Sequence, residues 1–282
     1  MRIVVDDISY YIHVTGQGKP LVCFHGFSES GNTWDGIEIP GYAMYRLDFI
    51  GHGQSDKPLD TQIYQLPQLL RQLHIVIQAA VGASYSLMGY SMGARIALLY
   101  ALQYQHDIEA LILESGSVGI QDPSARKLRF LQDEALAKKI VCNGRAWFRD
   151  TWSALPIFKT QQTLPLSVQD SIRRRRFHNE PYALHHTLMG SGQGCMPYVG
   201  HRLDEIMCPS LYISGALDKK YSLLGEEVFK KARSFSTALI QNVGHNTHLE
   251  RPREFERIVA QFLHTTTGPS NALYKHDELE DD

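Results

Sequence analysis

Short apolar runs rich in Val, Ile, Leu and Tyr alternate with glycine-bearing turns through the first part of the chain. Residues 2–6 and 9–14 read as two strands joined by an acidic turn at Asp6 and Asp7. Residues 21–25, 43–48, 85–90 and 109–114 read as further strands, short and apolar on both faces. Between them, residues 65–81 place Leu66, Leu69, Leu70, Leu73 and Ile77 at the spacing of one helix face. Residues 92–104 do the same with Ile96, Leu99 and Tyr100. Strand and helix alternating in this way predict an α/β fold: a mostly parallel sheet with helices on both faces.

The rhythm breaks between residues 118 and 204. Strand-like runs vanish, a charged helical stretch spans residues 125–140, and Trp147, Trp152, Pro156, Pro165, the run Arg173-Arg174-Arg175-Arg176 and Gly190, Gly192 and Gly194 interrupt any simple period. Strands resume at 210–214 and 238–243 with a helix between them, and a last helix is predicted at 252–264. The expected organisation is therefore a core in two pieces, 1–117 and 205–264, with a helical lid inserted at 118–204. An acidic tail at 265–282, ending Asp277-Glu278-Leu279-Glu280-Asp281-Asp282, is expected to be disordered.

Composition narrows the function classes. Hydrophobic residues make up 43% of 282, enough for a sizeable core. With 28 basic against 30 acidic residues the net charge is −2, which argues against a nucleic-acid or membrane-surface binder. Cys23, Cys142, Cys195 and Cys208 are scattered without a C-x-x-C pair, so neither a disulfide framework nor a metal site is expected. The acidic N-terminus lacks the apolar core of a signal peptide, and no stretch approaches a membrane span. A soluble cytoplasmic protein is the expectation.

The chemistry is concentrated in three loops. Gly89-Tyr90-Ser91-Met92-Gly93 matches G-x-S-x-G between a predicted strand and a predicted helix. A nucleophile on so tight a turn needs small neighbours, which Gly89 and Gly93 supply. Downstream, the strand at 210–214 ends in Gly215-Ala216-Leu217-Asp218, and the strand at 238–243 ends in Gly244-His245. Ser91, Asp218 and His245 thus occur in the Ser…Asp…His order of α/β hydrolases, each at a strand's carboxyl end. His245 is expected to take the Ser91 proton, with Asp218 fixing the ring. The N–H groups of Met92 and Phe27 are the expected oxyanion donors. Glu114 is a rival acid read as a supporting carboxylate, and His25 and His52, in glycine turns, as loop braces.

From residue 21 to 263 the chain resembles the 2-succinyl-6-hydroxy-2,4-cyclohexadiene-1-carboxylate synthases of the menaquinone pathway. The resemblance lies in His25-Gly26-Phe27-Ser28 with Trp34, Gly51-His52-Gly53, and the elbow extended to Ala94-Arg95. It continues through Gly119-Ile120, Arg126, Arg129, Trp152, Leu155-Pro156-Ile157-Phe158, Gly190-Ser191-Gly192-Gln193 and Met196-Pro197 to Gly244-His245-Asn246, His248 and Glu250. It implies a lyase that removes pyruvate from 2-succinyl-5-enolpyruvyl-6-hydroxy-3-cyclohexene-1-carboxylate without cofactor or metal, the triad serving as base. It also implies a polycarboxylate pocket lined by Tyr90, Arg95, Arg129, Trp152 and one arginine of the run 173–176, best matched by Arg176.

Arginine suits that task because its planar fork grips a carboxylate with two bonds. Ile50 stands where such enzymes commonly have proline, and the segment from Gly192 to Pro197 carries two extra residues. A serine hydrolase acting on an ester or a carbon–carbon bond is the alternative from another enzyme class. A non-catalytic binding protein on the same fold is a third, with all three triad positions filled against it. Whether the chain is a monomer or a dimer is not legible.

Overall fold

The structure is a computed structural model that describes residues 1–82 and 84–267. Eight strands form one sheet: β1 (Arg2–Val5), β2 (Ile8–Gly16), β3 (Lys19–Phe24), β4 (Tyr42–Leu47), β5 (Tyr85–Tyr90), β6 (Ile108–Glu114), β7 (Ser210–Gly215) and β8 (Phe235–Ile240). Their spatial order is β1-β2-β4-β3-β5-β6-β7-β8. The first two strands run antiparallel to their neighbours, and β4 through β8 are parallel.

A strand buried on both sides must be apolar at every position, and β6 shows this. Leu111 and Leu113 enter the core shared with α1 (Leu66–Val81) and α2 (Met92–Tyr104). Ala110 and Ile112 point the other way, towards α8 (Pro252–Thr267). That second core also holds Trp34, from the loop after β3, stacked near Phe255 of α8. Phe255, Val259 and Leu263 recur every fourth residue, so a single stripe of α8 meets the sheet.

Between β6 and β7 the described residues contain no strand. Helices α3 (Pro123–Ser153), α4 (Leu166–Phe177) and α5 (Pro181–Ser191) lie there, with a small core of Ala137, Ile140, Phe148, Leu184 and Leu188. Helix α3 is broken at Gly144, whose φ of 76° no helix tolerates. Helix α6 (Lys219–Glu227) follows β7, and the short α7 (Thr247–Glu250) precedes α8.

Expected boundaries move at several elements: the helix expected at 125–140 spans Pro123–Ser153, and two changes lie near the end of the described residues. The last strand is Phe235–Ile240 rather than 238–243, because its pairing with Ser210–Gly215 ends at Ile240 and Asn242 turns the chain at φ 58°. The last helix continues to Thr267, where the Thr267 hydroxyl bonds both the Leu263 carbonyl and the Tyr42 hydroxyl, so 265–267 are not tail. The rest of the expected tail, 268–282, lies outside the described residues. Among the described residues no helix is long and apolar enough to cross a membrane.

Trp34 is fully buried, so its replacement leaves a large void at the α8 face. Trp34→Ala is expected to cost about 3–5 kcal/mol. Chemical denaturation measures this, and an unchanged midpoint would contradict the packing.

Candidate active site

At the end of β5 the chain reverses into α2 within one residue. Ser91 takes up the turn at φ 53° and ψ −107°, a conformation costly for any residue with a Cβ. It is held because its N–H donates to the Glu114 carbonyl at 2.8 Å and its own carbonyl accepts from the Arg95 N–H at 3.1 Å. The flanking glycines are required by contact. A Cβ on Gly89 would stand 2.5 Å from the Gly93 carbonyl oxygen, and one on Gly93 would stand 2.3 Å from the Phe24 oxygen. Helix α2 therefore reaches the sheet closely enough to lift the serine above its edge.

The three sequence-predicted triad residues are brought together there. Ser91 Oγ lies 2.9 Å from His245 Nε2, and His245 Nδ1 lies 2.6 Å from Asp218 Oδ2. The His245 and Asp218 side chains are almost wholly buried. The ring is packed by Tyr221 at 4.8 Å and Tyr90 at 5.5 Å between centroids. Asp218 oriented on Nδ1 leaves Nε2 free to exchange a proton with Ser91. Among the described residues neither the Phe27 nor the Met92 N–H has a protein acceptor, so both are free to donate to a ligand.

Glu114 does not join the triad. It is fully buried, accepting from the Thr247 hydroxyl at 2.7 Å, the His248 N–H at 3.1 Å and His248 Nδ1 at 2.6 Å. It thereby anchors the segment just beyond His245. His25 and His52 are braces of the neighbouring loops. His25 Nε2 accepts from the Phe49 N–H at 3.0 Å, and His52 Nε2 accepts from the Ser28 N–H at 3.4 Å. Burial pushes His25 down to about 4 and His52 down to about 3, so both are neutral.

The cations differ in how far they are already satisfied. Arg95 is buried and makes one long bond, 3.4 Å to the Ser191 carbonyl, with no carboxylate partner among the described residues. Burial, reinforced by Arg129 and opposed by Tyr221, lowers it to about 10, and it stays charged at neutral pH. Arg176 is likewise buried and lacks an ion pair. It donates to Ser153 Oγ at 2.8 Å and Gln161 Oε1 at 3.1 Å, and lies 4.4 Å over the Phe158 ring. Arg129 is more occupied, bonded to Asp133 at 2.8 Å and Gln193 at 2.7 Å.

Of the run 173–176, Arg173 and Arg174 are exposed and Arg176 is the most buried. Trp152 packs edge-on to Phe27 at 5.2 Å and has a buried Nε1–H without a partner. Tyr90 is buried between His245 and His248.

Three features were missed from sequence. Tyr221 follows Asp218 by one helical turn and packs at a tilt against His245, a spacing that any helix start would show. Glu250 ties Thr160 of the inserted segment (2.9 Å) to the Gly244 N–H (2.8 Å) below His245. Arg175 pairs with Glu29 at 2.8 Å, and adjacency to Arg176 gave no means of telling the two apart. Among the described residues no cluster of three or more His, Cys, Asp or Glu is placed to hold a metal ion.

Comparisons with known proteins bear on the family and the fold. The family described as alpha/beta hydrolase fold matches residues 19–252. A Bacillus subtilis protein provisionally named 2-succinyl-6-hydroxy-2,4-cyclohexadiene-1-carboxylate synthase is 32% identical, over 92% of this chain and 96% of its own. An Enterobacter protein bearing the same name without that qualification is 29% identical, over 88% and 95%. The solved structure of MenH from S. aureus superposes with a TM-score of 0.86 at 30% identity, covering 92% of this chain and 98% of that one. A thermophilic esterase from Thermogutta terrifontis, at TM-score 0.78 and 17% identity, shares the fold.

The neutral buried histidines have a consequence for acid stability. Their folded pKa values lie below the unfolded value of 6.5, so from pH 6.5 down to about 4 the unfolded chain binds protons that the folded one refuses. Stability is therefore present at and above pH 7 and is lost as pH falls, by about 1.4 kcal/mol per pH unit for each such proton. Denaturation midpoints measured from pH 7 to pH 5 are expected to fall; a flat profile would mean that the pair is not held neutral.

Proposed function

We propose that this chain, which belongs to the α/β-hydrolase family and within it to the 2-succinyl-6-hydroxy-2,4-cyclohexadiene-1-carboxylate synthases, eliminates pyruvate from 2-succinyl-5-enolpyruvyl-6-hydroxy-3-cyclohexene-1-carboxylate in menaquinone biosynthesis. The observation that carries the reading is two buried guanidinium groups without a carboxylate partner among the described residues: Arg95, one helical turn after Ser91, and Arg176, over the Phe158 ring that packs by His245. An unpaired buried charge is costly, so Arg95 and Arg176 are best explained by an anionic ligand. A substrate with three carboxylates fits such a set, and a simple ester does not need it.

The chemistry follows from substrate and product. The ring hydrogen at C2 lies next to the ketone of the succinyl group and to the C3=C4 double bond, so its removal gives a delocalised enolate. The Ser91–His245–Asp218 relay supplies the base: Ser91 Oγ, unburdened of its proton by His245, takes the C2 proton. The ketone oxygen gathers the charge, and the Phe27 and Met92 N–H groups are its donors. The electrons then form C2=C3 and C4=C5 and expel the enolpyruvyl oxygen from C5. Enolpyruvate leaves and tautomerises to pyruvate.

The oxidation at C2, which loses hydrogen, is matched by the reduction at C5, which loses oxygen, so the balance closes without an electron acceptor. Arg95, Arg176 and Arg129 hold the carboxylates, with Tyr90 and Trp152 as apolar walls. The helices between β6 and β7 act as the lid that carries Arg129, Trp152 and Arg176. This reading brings with it a small polycarboxylate as partner and a cytoplasmic location.

The test is pyruvate release from freshly prepared enolpyruvyl substrate, beside a panel of nitrophenyl esters. Rapid ester cleavage with no pyruvate would reject the lyase in favour of a serine hydrolase. Arg95→Ala is expected to lower kcat/KM for pyruvate release about a hundredfold or more with the fold intact, the scale of a lost buried ionic contact worth ~3–5 kcal/mol. Near-normal kinetics would remove Arg95 from the pocket.

A further inference from the structure

The loop that presents the Phe27 N–H is a tight turn closed by the Glu29 N–H on the Gly26 carbonyl at 3.2 Å. Its centre is under tension, because Ser28 has a left-handed φ of 62° without being glycine. Such a conformation persists only where its surroundings impose it. On the sheet side, the turn beyond Gly26 is met by the weak 3.4 Å bond from the Ser28 N–H to His52 and by the packing of the Phe27 ring against His52 at 6.1 Å. Stronger hydrogen bonds come from outside the sheet, from α4 and from Asn179, two residues beyond it.

Asn179 Nδ2 donates to the Ser28 carbonyl at 2.8 Å while capping the Arg175 carbonyl at 2.9 Å. Arg175 Nε donates to Glu29 Oε2 at 2.8 Å; the Glu29 side chain is buried and that of Arg175 is 11% exposed. Burial would raise the Glu29 pKa, but Arg175 and then Arg176 outweigh it and hold the carboxylate ionised.

We propose that Arg175, paired with Glu29 and seconded by Asn179 on Ser28, is a positioning residue through which the lid holds the oxyanion-donating turn in its working geometry. The proposal rests on the elimination reading above and adds a task for residues outside the substrate pocket. Two neighbouring side chains of α4 then divide the work. Arg176 meets the substrate's carboxylate, and Arg175 fixes the turn that meets its ketone oxygen. A carboxylate bound at Arg176 thereby stiffens the same helix that orders the Phe27 N–H. A buried ion pair is a poor choice for stability alone, since apolar packing would serve at least as well. Its direction-specific hydrogen bond suits a part that must set one backbone angle.

The experiment first establishes pyruvate release by the unaltered protein; if none is seen, the elimination reading itself has failed. With that activity in hand, kcat and KM are measured separately for Arg175→Gln, Arg175→Lys, Glu29→Gln and Asn179→Ala. Arg175→Gln and Glu29→Gln are expected to lose about tenfold or more in kcat with KM within about threefold. That is less than the 10²–10³ typical of deleting an oxyanion donor, because the donor is loosened rather than removed. Arg175→Lys is expected to recover most of the loss. The proposal is overturned by kcat within twofold of the unaltered protein, or by a loss carried by KM alone. Should Glu29→Gln fail to fold by circular dichroism, Asn179→Ala and Arg175→Gln decide the matter on the same criteria.

Discussion

The triad depends on how closely helix α2 approaches the sheet. Ser91 can occupy its strained turn only because the backbone at Gly93 packs against the Phe24 and His25 carbonyls, leaving no space for a methyl group. That contact sets the height of the serine above β5, and the serine's height fixes where His245 must reach. His245 arrives from the far side of β7 and β8, on a segment pinned by Glu114 through Thr247 and His248. Each partner of the 2.9 Å contact is thus positioned by backbone packing or buried hydrogen bonds, not by the other partner. A geometry fixed in advance spares the reaction the cost of assembling it.

Charge is the second constraint. Arg95, Arg129, Arg175 and Arg176 are all buried or half-buried, and their desolvation is unfavourable. The fold relieves some of them locally. Arg129 has Asp133 and Arg175 has Glu29, while Arg95 and Arg176 are given neutral oxygens only. This gradation separates the roles. In the proposed reading, Arg129 and Arg175 are also tied to carboxylates of the protein, whereas Arg95 and Arg176 keep their charge for the substrate alone. On that reading, stability given up at these two positions is recovered as affinity for the substrate's carboxylates.

Much of this was legible in the sequence because periodicity and order carry it. The parallel strands announced themselves as apolar runs, and the elbow did so by its glycines. Asp218 and His245 stood out as the polar residues at the ends of two such runs. What escaped was whatever depends on rotation about a helix axis in a polar segment. Four consecutive arginines span a full helical turn, so their side chains point in four directions. Sequence alone could not decide that Arg175 and Arg176 face inwards. Tyr221 and Glu29 were hidden for a similar reason: each lies in a loop-and-helix junction where polar and aromatic residues are commonplace. The strand at Phe235–Ile240 was displaced because alternating Ser and Thr blurred its start and Val243 prolonged its apparent end.

The cleft also shows why three functional groups in a row do not make an active site. Glu114, His248 and Thr33 form a second acid–imidazole–hydroxyl chain, with 2.6 Å and 3.0 Å contacts through the same ring nitrogens as in the first. It flanks the other side of Tyr90 and stacks on Trp34 at 4.1 Å. Its members are fully buried, and the Thr33 hydroxyl sits inside a short turn, closed off from any substrate. The chain ending at Ser91 differs in being only partly buried at its tip, beside free N–H groups at the start of α2. Hydrogen-bond order is therefore the lesser requirement. What distinguishes a base from a brace is whether the hydroxyl meets a space in which negative charge can be received.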